Sequence, residues 1–183
     1  MGTSHLILGQ TTDYITGLNV PDTHDERIIQ TLSRFLVEEK YFTKNEISTR
    51  EKLTLTVDGK TGTVTVNFVI RIDQLALAVI MYGPGSIVTR QRPTLAAARL
   101  IAPHIVPISA ITNGTDALIM DTVSGQVSGK GMGSLPNREE AIGKLKDFQP
   151  VSISEERRDK EKRILFAMEI LTEKECLDFT CRL

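Results

Sequence analysis

The chain has 183 residues, of which 40% are hydrophobic and 25% are charged, and its formal net charge is −1. This length and composition predict a globular domain that buries its own core without a disulfide or metal. The near-neutral charge gives no general attraction to nucleic acid or membranes, and the longest apolar run, Leu75–Met81, is too short to cross a bilayer. We expect a cytoplasmic protein with no membrane partner, in which Cys176 and Cys181 are reduced thiols.

Residues 1–22 are predicted to be a turn-rich lead-in to a helix at about residues 23–40. Apolar residues in that segment recur at helical spacing. Thr23 and Glu26 have the spacing of a capping box, in which each side chain bonds the other residue's backbone N–H.

From Ile47 onwards the apolar period changes to two, which is typical of strands. Asp58-Gly59 predicts a tight hairpin, and Asp73-Gln74 a second tight connection. The strand after the first turn alternates, and four of its apolar residues are expected to share one face: Val64, Val66, Phe68 and Ile70. Leu75–Tyr82 is apolar on both faces and is predicted to be a central strand.

Pro93 suits the first turn of a second helix, with its body at Thr94–Ala102. Two short strands are predicted next, at Val106–Thr112 and Ala117–Asp121, and one more between Gly125 and Gly133. Asn137 and Ser154 are predicted to cap two C-terminal helices. The predicted fold is α/β, with a mixed sheet flanked by helices in the order helix, three-strand meander, helix, two strands. The C-terminal helices at 136–183 are expected to extend a domain at 23–135.

Four segments carry a resemblance to a known family: Asp25-Glu26-Arg27, LALAVIMYGPG, LAAARLI and ITNGTDALIMDT. They resemble the nuclease-like N-terminal domain of type I restriction enzyme R subunits, within the PD-(D/E)xK nuclease group. The similarity covers about residues 22–125 and implies a restriction-endonuclease-like fold. Because no helicase or motor segment follows it, we expect a stand-alone domain.

The resemblance implies a metal site on the two strands at 63–82. Active members carry an Asp on the first strand and Glu-x-Lys on the second, so that the two carboxylates hold Mg²⁺ and the lysine orients the attacking water. In this sequence those positions are Asn67, Ile80 and Tyr82, and Glu26 matches an acid on the first helix of the family. We therefore expect an inactive nuclease with no metal and no cofactor. Glu26 is either a remnant metal ligand or half of the capping box. Asn67 and Tyr82 either line a cleft that binds something else, or Tyr82 and Ile80 fill the space left by the ion.

The segment after the second strand is the best candidate for binding an anion. Residues 74–115 contain three arginines and no acid, and glycine N–H groups near a helix start can hold a phosphate. The predicted binding residues are Gly83, Gly85, Ser86, Arg90, Arg92 and Arg99. The alternative is that the glycines form a turn and the arginines pair with acids elsewhere, such as Glu26 or Asp121.

Three functions remain open from the sequence. The favoured one is a non-catalytic module that binds DNA or a protein partner. The second is an active Mg²⁺-dependent DNA endonuclease that uses Glu26 with Asp73 or Asp116. The third is a structural protein that forms a homo-oligomer through the last predicted helix, with contact residues Ile164, Leu165 and Met168.

Overall fold

A computed structural model describes residues 7–146 and 148–170 of the chain. Cys176 and Cys181 lie outside these residues. The strands are β1 (Gly9–Thr12), β2 (Asn19–Asp22), β3 (Ile47–Val57), β4 (Lys60–Ile72), β5 (Leu75–Tyr82), β6 (Ile108–Thr112), β7 (Ala117–Asp121) and β8 (Val127–Lys130). The helices are α1 (His24–Arg34), α2 (Gln91–Leu100), α3 (Arg138–Lys146) and α4 (Glu155–Leu165). A π-helical turn continues α1 at Phe35–Glu39, and another continues α4 at Phe166–Ile170.

Six of the described strands form one sheet, in the order β3-β4-β5-β6-β7-β8. The strands β3, β4 and β5 are an antiparallel meander, β6 is parallel to β5, and β7 and β8 return antiparallel. A parallel neighbour requires a crossover, which α2 supplies between β5 and β6. The expected mixed α/β fold is confirmed. The small antiparallel β1–β2 hairpin was not predicted, because its four-residue strands show no alternation.

Both tight turns of the meander form as their sequences predict. Asp58 and Gly59 have φ of +48° and +76°, and Asp73 and Gln74 have φ of +49° and +67°. Positive φ at both central residues is the geometry of the hairpin turn whose twist matches the flanking strands. The caps of the last two helices also form: Asn137 Oδ1 accepts from the Glu140 N–H, and Ser154 Oγ accepts from the Arg157 N–H.

The sheet has a hydrophobic cluster on each face. One cluster joins β4 and β5 to α2, and α4 and the π turn after it add Leu165 and Phe166. The other joins the strands to α1 and α3, with Leu36, Phe68 and Ile80 among its fully buried members. No helix among the described residues is long and apolar enough to cross a membrane.

The expectation that four residues of β4 share one face is wrong. Val64 and Val66 pack in the α2–α4 cluster, whereas Phe68 and Ile70 pack in the α1–α3 cluster. The change of face falls at Arg50 and Asn67, which are left unpaired between the register pairs Thr49–Phe68 and Glu51–Val66. Arg50 has φ of +54°, a left-handed conformation that is uncommon in residues other than glycine. The strand pair therefore changes face here without losing its register.

Candidate functional site

A cleft of about 340 Å³ opens where the start of α1 faces the end of β5. Among the residues that line it are Glu26 from α1, Arg50 from β3, Asn67 from β4, Tyr82 from β5 and Arg90. Three of the four degenerate positions predicted from the sequence thus lie together in one cleft. The change of face in the β3–β4 pair is what points Arg50 and Asn67 into it.

Arg50 joins two carboxylates inside this cleft. Its Nη1 donates to Asp13 Oδ2 over 2.6 Å, and its Nη2 donates to Glu26 Oε1. Gln30 Nε2 bonds the same two oxygens, over 3.1 Å to Asp13 and 2.6 Å to Glu26. The guanidinium therefore bridges both acids and ties the β1–β2 hairpin to α1 and the sheet.

Asp13 is the most deeply buried member of this group, with 1% of its surface exposed. Burial by itself would raise the pKa of the Asp13 carboxyl. Hydrogen bonds from the Thr16 N–H, Arg50, the Thr16 hydroxyl and Gln30 outweigh burial and lower the pKa to about 2. Asp13 is therefore ionised at neutral pH and holds Arg50 in place.

The predicted capping box is only half made. The Thr23 hydroxyl accepts from the Glu26 N–H over 3.1 Å, so Thr23 caps α1. The Glu26 carboxylate turns into the cleft instead, where Arg50 and Gln30 bond it. Glu26 thus occupies the site position that the family resemblance implies, but it is neutralised by a guanidinium of the same chain.

A hydrogen bond joins the Asn67 side chain to the backbone of Tyr82, and the Tyr82 side chain bonds the first turn of α1. Asn67 Oδ1 accepts from the Tyr82 N–H over 2.8 Å, and the Tyr82 hydroxyl donates to Asp25 Oδ1 over 2.8 Å. Burial, followed by the hydrogen bond to Asp25, raises the pKa of Tyr82 to about 12. Tyr82 is therefore protonated at neutral pH and acts as a donor.

Ile80 has no exposed surface and packs in the α1–α3 cluster between Phe68 on β4 and Ala110 on β6. It occupies the strand position where the resemblance places a metal-binding Glu. These residues do not fit a divalent cation, because Ile80 has no oxygen, Asn67 Oδ1 already accepts a hydrogen bond and Glu26 is paired with Arg50. Within the described residues, no group of three or more His, Cys, Asp or Glu is placed to hold a metal ion.

The other predicted acids do not complete a site either. Asp73 lies in the β4–β5 turn, at the opposite end of β5 from Tyr82. An eight-residue strand is about 25 Å long, so Asp73 is too far from Glu26 to share an ion. Asp116 follows β6 at the Tyr82 end of the sheet, but it does not line the cleft.

The predicted anion-binding residues fall into two places. Gly83 and Arg90 line the cleft, and the Arg90 side chain lies so close to Gly83 that a Cβ there would be 2.5 Å from Arg90 Cδ. Gly85 and Ser86 form the loop between them, where the Gly85 carbonyl accepts from Asn113 Nδ2 and the Ser86 carbonyl from the Thr89 hydroxyl. Arg90 forms a long ion pair with Glu169, over 3.5 Å, and keeps 37% of its side chain exposed.

Arg92 and Arg99 lie under α4, away from the cleft. The Glu161 carboxylate, with no exposed surface, pairs with Arg92 over 2.6 Å and with Arg99 over 2.8 Å, and Arg157 reaches it too. Burial would raise the pKa of Glu161, but Arg92 and Arg99 hold it below its usual value. Arg99 also donates to the carbonyls of Thr122 and Val123. Arginines paired with internal acids were the expected alternative, but the acids are Glu161 and Glu169 rather than Glu26 or Asp121.

Sequence reasoning missed Arg50 as a residue that lines the cleft, and it missed Asp13 and Gln30 as members of the hydrogen-bond network behind it. Asp13 lies in the supposed lead-in, and Arg50 lies on a strand where alternation alone does not mark it. One signal was available. Residues 48–52 are all polar, so the alternation of β3 begins only at Leu53, and Arg50 lies in the middle of this polar run.

Comparison with known proteins supplies the family. No curated protein and no solved structure gave a match to the chain. The family described as type I restriction enzyme R protein N terminus (HSDR_N) matches residues 24–136. That range runs from the start of α1 to the residues before α3 and contains the whole six-stranded sheet. The chain therefore belongs to the family of type I restriction enzyme R protein N-terminal domains.

Proposed function

We propose that this protein is a nuclease-fold domain that does not cleave phosphodiesters and serves as a binding module for nucleic acid. The observation that carries the first half of the proposal is Ile80. A buried side chain without oxygen stands on the strand that would have to present a carboxylate to Mg²⁺. The remaining acid, Glu26, already has a cation in Arg50.

Arg90 supports the second half of the proposal. It lies at the mouth of the cleft, beside a glycine turn, and its ion pair with Glu169 is long and partly exposed. Such an arginine can exchange its carboxylate for a phosphate oxygen at little cost, because both partners stay near water. Arg92 and Arg99 cannot do so without withdrawing a counter-charge from the fully buried Glu161.

Plasmid nicking in Mg²⁺ and in Mn²⁺ tests the absence of cleavage. We expect no nicking above the background of a Glu26→Ala protein purified in the same way. Metal-dependent nicking by the natural protein that is absent from Glu26→Ala would overturn the proposal in favour of an active endonuclease.

A matched pair of arginine variants tests binding. Titration of a labelled DNA duplex at several salt concentrations should show that Arg90→Ala weakens binding and lowers the salt slope by about 0.9, the effect of one phosphate contact. Arg92→Ala should leave the slope unchanged and instead lower the melting temperature, because it breaks a pair with a buried acid.

If the natural protein binds no DNA at low salt, the nucleic-acid version of the proposal is wrong. If Arg92→Ala reduces the salt slope as much as Arg90→Ala does, the assignment of binding to the mouth of the cleft is wrong.

A further inference from the structure

We propose that the outer part of the β3–β4 pair is a two-stranded ribbon that lies in a groove of duplex DNA with its polar face. The outer ribbon is defined as residues 50–57 of β3 and 60–67 of β4. The inference rests on the proposed nucleic-acid function and adds the surface and the form of the ligand.

The outer ribbon projects beyond the rest of the sheet. β5 pairs only with Phe68–Ile72 of β4, so that the stretch from Lys60 to Asn67 pairs with β3 alone. Eight residues of strand extend about 25 Å, which is most of one turn of a DNA duplex. The outer ribbon is thus a narrow element of the right length to follow a groove.

One face of the outer ribbon is held by the protein. Leu55, Val64 and Val66 are buried in the α2–α4 cluster, and Gly62 lies directly against Ile170, where a Cβ would be 2.5 Å from the isoleucine side chain. At the tip, Arg163 of α4 pairs with both carboxylate oxygens of Asp58. This support fixes the ribbon in position and leaves its opposite face open.

The open face is polar along its whole length. It carries three directly opposed pairs, each joined by a side-chain hydrogen bond of 2.7 to 3.2 Å: Lys52 with Thr65, Thr54 with Thr63, and Thr56 with Thr61. All but Thr65 are exposed. The row continues without a break into the cleft, since Thr65, Asn67 and Arg50 are cleft residues.

The charge of this face selects a polyanion as its partner. Lys52 lies on this face and none of the six paired residues is acidic, whereas Lys60, which pairs with Val57, belongs to the held face. The two acids of the ribbon are already paired with arginines. Glu51 lies on the other face, where it pairs with Arg71, and Asp58 pairs with Arg163. Threonine hydroxyls can donate to phosphate or base oxygens, and the major groove, about 12 Å wide, admits a two-stranded ribbon.

Binding of a short labelled duplex across a salt series tests the inference. Lys52→Ala should lower the salt slope by about 0.9. Thr54→Val together with Thr63→Val should weaken binding about fivefold, from the loss of hydroxyl bonds worth about 1 kcal/mol. Valine keeps the shape and strand preference of threonine, so the double variant should melt like the natural protein.

The matched controls are Lys160→Ala, which removes an exposed lysine of α4, and Thr12→Val, which removes an exposed strand threonine of β1. Neither should alter binding. If Arg90→Ala weakens binding but the ribbon variants do not, the ribbon inference is overturned and the proposed function stands. If the ribbon variants and the controls weaken binding equally, the inference is likewise overturned. Absence of any DNA binding overturns both.

Discussion

Two arginine–carboxylate networks lie in this domain, one in the cleft and one beneath α4. In the cleft, Arg50 joins Asp13 and Glu26 and keeps 30% of its side chain exposed. Beneath α4, Glu161 has no exposed surface and is gripped by Arg92, Arg99 and Arg157. Each network thus contains a buried acid, and the difference lies in the other members: Arg99 is only 6% exposed, whereas Arg50 and Glu26 line an open cleft.

The difference shows which charges are available to a ligand. A buried carboxylate that loses a partner stays in a medium that stabilises charge poorly, so its network resists exchange. A network at the edge of a cleft meets water and can rearrange at lower cost. Four experiments test whether the two networks differ in this way, and the one with the greatest predicted loss of stability comes first.

Removal of Glu161 should have the largest effect. In Glu161→Ala, Arg99 is left as a buried cation without a counter-charge, and we expect a loss of about 3–5 kcal/mol in the free energy of unfolding. Urea denaturation measures this loss. Glu156→Ala, which breaks an exposed pair with Lys160 on the same helix, should cost less than about 1 kcal/mol. Equal losses in the two variants would show that the buried and the exposed ion pairs of α4 contribute equally to stability.

Removal of Arg50 should cost less, about 2 kcal/mol, because Asp13 keeps its hydrogen bonds from Thr16 and Gln30 and water can reach Glu26. The same denaturation experiment measures it, with Arg27→Ala as the control, since Arg27 pairs with Asp22 while 56% exposed. A loss in Arg50→Ala no greater than in Arg27→Ala would mean that the cleft network contributes no more to the free energy of unfolding than an exposed ion pair does.

Acid should weaken the cleft network through Asp13. Its folded-state pKa of about 2 lies below the ordinary value of 3.8, so its contribution to stability is complete above about pH 4 and is lost as the pH falls towards 2. Asp13→Asn should show a shallower loss of stability over this interval, measured as the unfolding free energy at each pH. If the unfolding free energy of the two proteins falls in parallel as the pH is lowered, the low pKa assigned to Asp13 is wrong.

Tyr82→Phe should have the smallest effect. It removes one hydrogen bond to Asp25, and we expect a cost of about 1 kcal/mol. A difference in ultraviolet titration between the natural protein and this variant should isolate one tyrosine that ionises near pH 12. Ionisation of that tyrosine near pH 10 would show that its hydroxyl is free in solution.

Much of the architecture followed from local sequence rules. The period-two segments, the Asp58-Gly59 and Asp73-Gln74 turns and the caps Asn137 and Ser154 all lie where their chemistry placed them. The gathering of Glu26, Asn67 and Tyr82 was also foreseeable, because the family resemblance assigned them to neighbouring elements. Periodicity and turn chemistry are local, so a single sequence records them well.

The long-range partners could not be predicted in this way. Asp13 reaches Arg50 across 37 positions, and Glu161 reaches Arg99 across 62. Nothing in the local pattern around Arg50 shows that its φ is positive or that its side chain reaches two distant carboxylates. The sequence showed that the arginines of α2 lacked acids nearby, but it could not show which distant acid would be folded onto them.

Asp13 and Glu161 share one further property: both lie outside residues 24–136, the part that defines the family. A protein trimmed to those boundaries for expression would keep the whole central sheet but would remove the acid that pairs with Arg99 and leave Glu26 as the partner of Arg50. The boundaries of the family match therefore cut through both ion-pair networks. A truncated protein should retain Asp13 and Glu161.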